Sequence, residues 1–135
     1  MIKQMGGSMH FLFAIILTVG SLSAMAVEAQ SGASQEYNQC LNTSYGQSKI
    51  IITCIDKELK IQEKLLKKYY KSNLENNASH QKNLEQQHQL WLNRMKQQCH
   101  FGVTSSFIEI KQKKCLLEMT KERVYYYEMK QMGYK

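Results

Sequence analysis

Residues 91–123 read WLNRMKQQCHFGVTSSFIEIKQKKCLLEMTKER, in which Cys99 and Cys115 stand on either side of a short loop. Before the loop, Leu92 and Cys99 are two helical turns apart, and Trp91 lies beside them. After the loop, apolar residues again recur at helical spacing: Phe107, Ile108, Cys115, Met119 and Tyr126. The stretch therefore predicts two helices, and a bond between the two cysteines would tie the end of the first to a point inside the second.

The first thirty residues have the pattern of a secretory signal peptide. Lys3 precedes an apolar run over residues 11–22, and small residues up to Ala26 and Ala29 fit two cleavage sites. The run is about half of the roughly 20 residues that a membrane-spanning helix needs, so a permanent anchor is the weaker interpretation. Cleavage after Ala26 or Ala29 would leave one helical domain over residues 30–135, periplasmic or secreted, with no stable membrane span.

Four cysteines remain beyond the predicted leader, and an even number in a small exported chain predicts two disulfides. Three pairings are possible. The cysteines are close in sequence within each half of the chain and far apart between the halves, which favours Cys40–Cys54 and Cys99–Cys115. Each bond would close a loop of about 15 residues and contribute about 3 kcal/mol in the chain-entropy model. Zinc is the alternative, but zinc fingers space their ligands two to five residues apart and this chain does not. We therefore predict no metal site.

The remaining segments also favour helices, since the chain contains no proline and shows no sustained β alternation. The predicted helices cover residues 35–45, 49–75, 80–99 and about 106–132. Ser48, Ser79 and Ser105 or Ser106 are candidate N-caps, and residues 30–34 are expected to form a flexible tail. The predicted fold is all-α, an antiparallel bundle of three to four helices with two disulfides.

A set of residues along these helices resembles the LprI-like family of lysozyme inhibitors. The residues that carry the resemblance are Cys54, Glu58-Leu59, Leu65, Tyr69, Leu84, Trp91, Cys99, Cys115-Leu116, Met119-Thr120 and Arg123. The resemblance implies an exported, disulfide-bonded helical domain, and inhibition of lysozyme is known for a member of the family. It marks Trp91, Thr120 and Arg123 as family-motif residues.

Four positions depart from the family pattern. By the register of the motif, Gln62, Leu66, His88 and Met95 stand where the family usually has an acidic residue, asparagine, glutamine and arginine. Such polar groups would form an internal hydrogen-bond network. Their combined replacement predicts that apolar packing has taken the place of that network, an exchange that can be neutral when all partners change together.

Lysines recur at helical spacing along one side of the second helix. The candidate partner-binding residues are Lys57, Lys60, Lys64, Lys67 and Lys71, with Lys68 beside them. A solvated face that keeps the protein soluble is the simpler interpretation. The functional interpretation is a docking face for an anionic partner, which the net charge of +7 favours. Nucleic acid is not an expected partner of an exported domain.

The motif residues on the third and last helices have structural interpretations as well. Trp91 is expected to be the central packing residue of the bundle, and only an exposed ring would suggest an interface anchor. Arg123 is expected to bond helix-end carbonyls or a carboxylate such as Glu58. Among the consecutive tyrosines 125–127, the helical rotation predicts one buried ring and at least one exposed ring.

No pattern in the chain predicts catalysis or a cofactor. Disulfide formation would remove the thiol nucleophiles, and no serine–histidine–aspartate elbow or phosphate loop is present.

The first hypothesis is a non-enzymatic, lysozyme-inhibitor-like protein that covers the cleft of a lysozyme-like hydrolase. Against a strongly basic lysozyme, it would need a local acidic patch such as Glu118, Glu122 and Glu128. The alternative is an accessory protein that docks on a component of a cell-envelope or secretion assembly.

Overall fold

The computed structural model describes residues 32–133, so the predicted signal peptide at residues 1–29 lies outside the described residues. The described chain forms four α-helices and one short 3-10 helix. These are α1 (Gln35–Asn42), α2 (Ser48–Asn76), the 3-10 helix Ala78–His80, α3 (Gln81–Gln98) and α4 (Ser106–Gln131). The predicted all-α class is confirmed, and the long helices end within a few residues of their predicted bounds.

The three long helices run up, down and up. Lys113 Nζ lies 2.6 Å from Asp56 Oδ1, and the Tyr69 hydroxyl donates to Glu128 Oε1 at 3.2 Å, so α2 and α4 are parallel. Helix α3, which connects them in the chain, runs in the opposite direction. Helix α1 packs against the first half of α2, antiparallel to it. The predicted antiparallel arrangement therefore holds for helices joined by a short connection, whereas α2 and α4 pack side by side as a parallel pair.

Both disulfides have the predicted pairing. Cys40 is bonded to Cys54 and Cys99 to Cys115, with Cα–Cα distances of 5.7 Å and 5.5 Å. Each bond joins the chain near an interhelical loop to the helix that follows that loop. Both therefore lie where α2 and α4 begin, which we call the disulfide end. The opposite end, where α2 turns into α3, is the hairpin end.

Helix α4 buries a different set of residues from the predicted one. Its buried residues include Leu117 and Val124. Leu117 lies four residues after Lys113 and Val124 lies four residues before Glu128, and Lys113 and Glu128 are the α4 residues bonded to α2. The predicted face, with Cys115 and Met119, turns toward α3 instead. Phe107, expected on that face, is 71% exposed. Because α4 packs against two helices, its apolar residues do not form one stripe.

A polar network ties the start of the described chain to α2. Ser34 donates from its N–H and from Oγ to the buried carboxyl group of Glu58, at 3.1 and 2.5 Å. Gln62 Nε2 donates to the same carboxyl group at 2.8 Å and to the carbonyl of Gly32. The prediction of a flexible tail is therefore wrong for residues 32–34. Ser34 also caps α1 by accepting from the N–H of Tyr37.

The predicted caps are only partly correct. Ser105 caps α4, because its side chain accepts from the N–H of Ile108. Ser48 is instead the first residue of α2, after Gln47, which makes no side-chain cap bond. Ser79 lies in the 3-10 helix, and α3 follows His80 without a side-chain cap. Neither of these two helix starts has a side-chain cap, so the predicted serine caps are wrong at both.

Candidate functional site

The hairpin half of the bundle is built around one positive charge among aromatic rings. The members of this arginine–aromatic cluster are Tyr70, His88, Trp91, Arg123, Tyr126 and Tyr127. The guanidinium carbon of Arg123 lies 4.5 Å from the centre of the Tyr126 ring, 4.6 Å from Tyr127 and 5.5 Å from Trp91. Contacts of this kind are attractive because the ring faces carry negative potential.

The Tyr127 hydroxyl joins the cluster through hydrogen bonds. Arg123 Nη2 donates to it at 2.9 Å, and His88 Nδ1 lies 3.1 Å away. The hydroxyl accepts from Arg123 and can donate its own proton to Nδ1 when His88 is neutral and protonated on Nε2. The His88 ring also stacks on Tyr70, with centroids 4.0 Å apart. The three helices thus share one bonded layer.

Burial and charge keep His88 in this neutral form. Burial lowers the pKa of His88 below its usual 6.5, and the nearby Arg123 guanidinium lowers this pKa further. Burial also raises the pKa of the Tyr127 hydroxyl above 10.0, against the opposing effect of Arg123. The layer therefore contains one cation, one neutral imidazole and the two neutral phenols of Tyr70 and Tyr127 at pH 7.

The motif residues lie close together, but two of their expected roles are wrong. Arg123 donates to Tyr127, while Glu58 bonds Ser34 and Gln62 instead. Trp91 is half-buried, and Tyr127 rather than Trp91 is the largest fully buried side chain. Thr120 is buried and donates to the Leu116 carbonyl within its own helix at 2.8 Å. The geometry gives these residues a role in packing.

The expected exchange of polar groups for apolar packing is wrong at two of the four positions that depart from the family pattern. Gln62 and His88 are both buried and both hydrogen-bonded, to Glu58 and Tyr127 respectively. Met95 does contribute a thioether, 4.0 Å from the Thr120 hydroxyl. The interior therefore keeps two polar networks, one around Glu58 and one around Tyr127, although Gln62 Oε1 and Arg123 Nε have no hydrogen-bond partner in the part of the chain that the structure describes.

The predicted lysine side of α2 is exposed. This lysine face consists of Lys57, Lys60, Lys64, Lys67, Lys68 and Lys71, and all six residues are exposed. Lys71 approaches Glu75 at 3.7 Å, with both side chains largely in solvent. Within residues 32–133, no carboxylate lies within 4.0 Å of the other five lysines. The face is therefore a positive stripe opposite the core, in which only Lys71 has a carboxylate partner among the described residues.

Helical spacing alone does not predict the exposed aromatic residues at the disulfide end. Tyr45 is 86% exposed in the loop between α1 and α2, and Phe107 is 71% exposed in the first turn of α4. Tyr45 has a φ of 48° and Gly46 has a φ of 76°. A glycine directly after Tyr45 is the one sequence signal of this turn, since glycine favours positive φ. Phe107 gives no such signal.

Comparisons with known proteins agree with the resemblance in the sequence. A family model described as "Lysozyme inhibitor LprI" matches residues 24–126. The chain belongs to this family. Comparisons with curated proteins and with solved structures found no match.

Membership in the LprI family supports a lysozyme-inhibitor-like function and implies a protein partner. Over residues 32–133, no group of three or more histidine, cysteine, aspartate or glutamate side chains could hold a metal ion. In the same part of the chain, no helix has both the length and the apolar content needed to cross a membrane.

In the expected acidic patch of this LprI-family chain, one of the three carboxylates is paired with a cation. Glu118 lies 3.2 Å from Lys121, and Glu128 accepts a hydrogen bond from the Tyr69 hydroxyl. Glu122 is exposed. Glu118 is exposed as well, and exposed ion pairs contribute little, so this patch is a weak anchor for a basic partner.

Proposed function

We propose that this LprI-family chain is an exported, non-enzymatic protein that inhibits a lysozyme-like muramidase by covering its substrate cleft. The observation that carries the proposal is the family match over residues 24–126. The scaffold fits this role, because two disulfides close the segments that contain the α1–α2 and α3–α4 loops before binding. A preorganised surface loses little conformational entropy when it binds.

Export to the periplasm or the exterior is part of the proposal. The charged start, short apolar run and small residues of segment 1–29 support a cleaved leader, and residues 30–135 would form the mature domain. The four cysteines support the same compartment, since all of them are paired in disulfides. Such bonds persist in oxidising compartments and are rare in the cytosol.

The charge of the chain restricts which muramidase it would inhibit. A protein with a net charge of +7 repels a strongly basic lysozyme, which slows their encounter. The pairing of Glu118 with Lys121 weakens the acidic patch that could offset this repulsion. We therefore expect the target to be a muramidase of neutral or acidic net charge.

The direct test is titration of the oxidised mature protein into a panel of muramidases that spans acidic to basic isoelectric points. At low salt, the protein should inhibit lysis of wall substrate by the acidic and neutral enzymes most strongly. It should inhibit the basic enzymes least. The reduced and alkylated chain is the matched control and should inhibit much less. If the oxidised chain leaves every enzyme fully active, the proposed function is wrong.

The exposed lysine face favours a second candidate, an accessory role in a cell-envelope or secretion assembly with an acidic protein component. Charge reversal at Lys60, Lys64 and Lys67 should abolish capture of one stoichiometric acidic partner from envelope extract. Reversal at the exposed Lys82, Lys96 and Lys114, outside the face, changes the net charge equally and should leave capture intact. Equal loss in both variants would reject a specific role for the lysine face.

A further inference from the structure

Two loops lie next to each other at the disulfide end. Asp56 and Lys113 are bonded across α2 and α4, eight residues after Ser48 and seven after Ser106. With a rise of about 1.5 Å per residue, the two helices begin within about 2 Å of the same level. The α1–α2 loop at residues 43–47 and the α3–α4 loop at residues 99–105 therefore lie on one end of the bundle.

These loops and the first turn of α4 present apolar side chains to solvent. Tyr45 is 86% exposed, Phe107 is 71% exposed and Val103 is 51% exposed. We call these three residues the apolar tip. Tyr45 also has a positive φ, which is unfavourable for a bulky residue, although its ring contributes nothing to the core. Backbone strain combined with exposure is typical of sites that contact a ligand or partner.

The apolar tip is held on rigid backbone. The Cys40–Cys54 bond closes the segment that contains Tyr45, and the buried Ser44 donates to the Leu41 carbonyl at 2.7 Å. The Cys99–Cys115 bond closes the other segment. There, the N–H of Phe101 donates to Gln112 at 3.3 Å. Aromatic side chains on a fixed backbone are the usual anchors of tight interfaces.

The charges around the tip are positive. Lys49 and Lys111 are the exposed charged residues of segments 43–53 and 99–111. Glu109, the one carboxylate-bearing residue of these segments, is half-buried and lies 3.8 Å from Lys113. A glycoside hydrolase cleft carries a pair of carboxylates between sugar-binding surfaces. The positive, apolar end of the bundle is complementary to such a cleft.

From this placement we infer that the apolar tip enters the sugar-binding cleft of the muramidase, with Lys49 and Lys111 facing the cleft carboxylates. This inference rests on the proposed function and identifies the surface that performs it. It assigns binding to the disulfide end and not to the lysine face of α2 or to the hairpin end.

The test compares two triple variants of the oxidised protein in the muramidase titration. The tip variant carries Tyr45→Asn, Val103→Ser and Phe107→Gln, where asparagine tolerates the positive φ at position 45. The control carries Leu90→Gln, Tyr125→Gln and Met132→Gln, which removes three exposed apolar side chains elsewhere. Loss of tip anchors should raise the inhibition constant at least about 30-fold, and the control should stay within about 2-fold of wild type.

The outcomes separate this inference from the proposed function. If wild-type protein inhibits and the tip variant inhibits equally well, or the control loses as much, the inference is wrong while the proposed function stands. If wild-type protein inhibits no muramidase, both are wrong. The single variants Tyr45→Asn and Phe107→Gln, each checked by its unfolding midpoint, keep the comparison valid should the triple variant fail to fold.

Discussion

The disulfide end and the hairpin end of the bundle hold the same helices by different means. At the disulfide end, two covalent bonds fix the loops, and the rings of Tyr45 and Phe107 face solvent. At the hairpin end, no disulfide crosses the helices, and the aromatic side chains turn inward around Arg123. At the disulfide end, covalent closure thus leaves aromatic residues available for binding. At the hairpin end, the aromatic residues are needed to pack the helices together.

Among the variants that test this comparison, removal of one disulfide should lower the free energy of unfolding most. Substitution of Cys99→Ala together with Cys115→Ala should lower the free energy of unfolding by about 3 kcal/mol, because the unfolded chain regains the entropy of an open loop. Amide exchange should quicken much more at residues 99–105 than around His88. Equal quickening at both ends would contradict a difference in how the ends are held.

Removal of the central cation should have the next largest effect. Arg123→Ala should lower the free energy of unfolding by about 2 kcal/mol, since it removes contacts to three rings and one hydrogen bond to Tyr127. Arg94→Ala is the matched control and should cost less than about 0.5 kcal/mol, because Arg94 is exposed. Chemical denaturation measures both, and equal losses would rule out the cluster as the source of cohesion.

A smaller effect is expected from one hydroxyl group. Tyr127→Phe should lower the free energy of unfolding by about 1 kcal/mol, because it leaves His88 Nδ1 and Arg123 Nη2 without their shared partner. Tyr125→Phe removes a hydroxyl from an exposed ring two positions away and should be neutral. A neutral Tyr127→Phe variant would mean that the bonded layer contributes no stability.

The smallest effect is a dependence on pH. The pKa of His88 is lowered in the folded chain, so the unfolded chain binds a proton first as the pH falls below about 6.5. The free energy of unfolding should therefore decrease from about pH 7.5 to about pH 5, until the pH passes the folded-state pKa. His88→Gln should flatten this slope, and His80→Gln, at an exposed position, should not. An unchanged slope in His88→Gln would mean that another group causes the dependence.

Local patterns in the sequence predicted much of the scaffold. The helix bounds followed from periodicity, and the pairing of Cys40–Cys54 and Cys99–Cys115 followed from short gaps. Exposure of the lysine face followed from the helical spacing of its lysines along one side of α2. Among the three consecutive tyrosines, Tyr127 is buried and Tyr125 is exposed, as the rotation of a helix requires.

Long-range contacts were not predictable in this way. The bond from Ser34 to Glu58 spans 24 residues, and nothing near either residue marks it. The burial of His88 depends on Tyr70 and Tyr127, which come from two other helices. Phe107 has the spacing of a core residue but lies outside, because the wheel of α4 does not specify which of its apolar sides the neighbouring helices cover.

The central claim is that binding belongs to the disulfide end. Its most direct test is amide hydrogen exchange of the oxidised protein, free and bound to a muramidase that it inhibits. Protection on binding should concentrate at residues 43–49 and 100–111, with little change around the α2–α3 connection at residues 74–84. Protection confined to that connection or to the lysine face of α2 would contradict the claim.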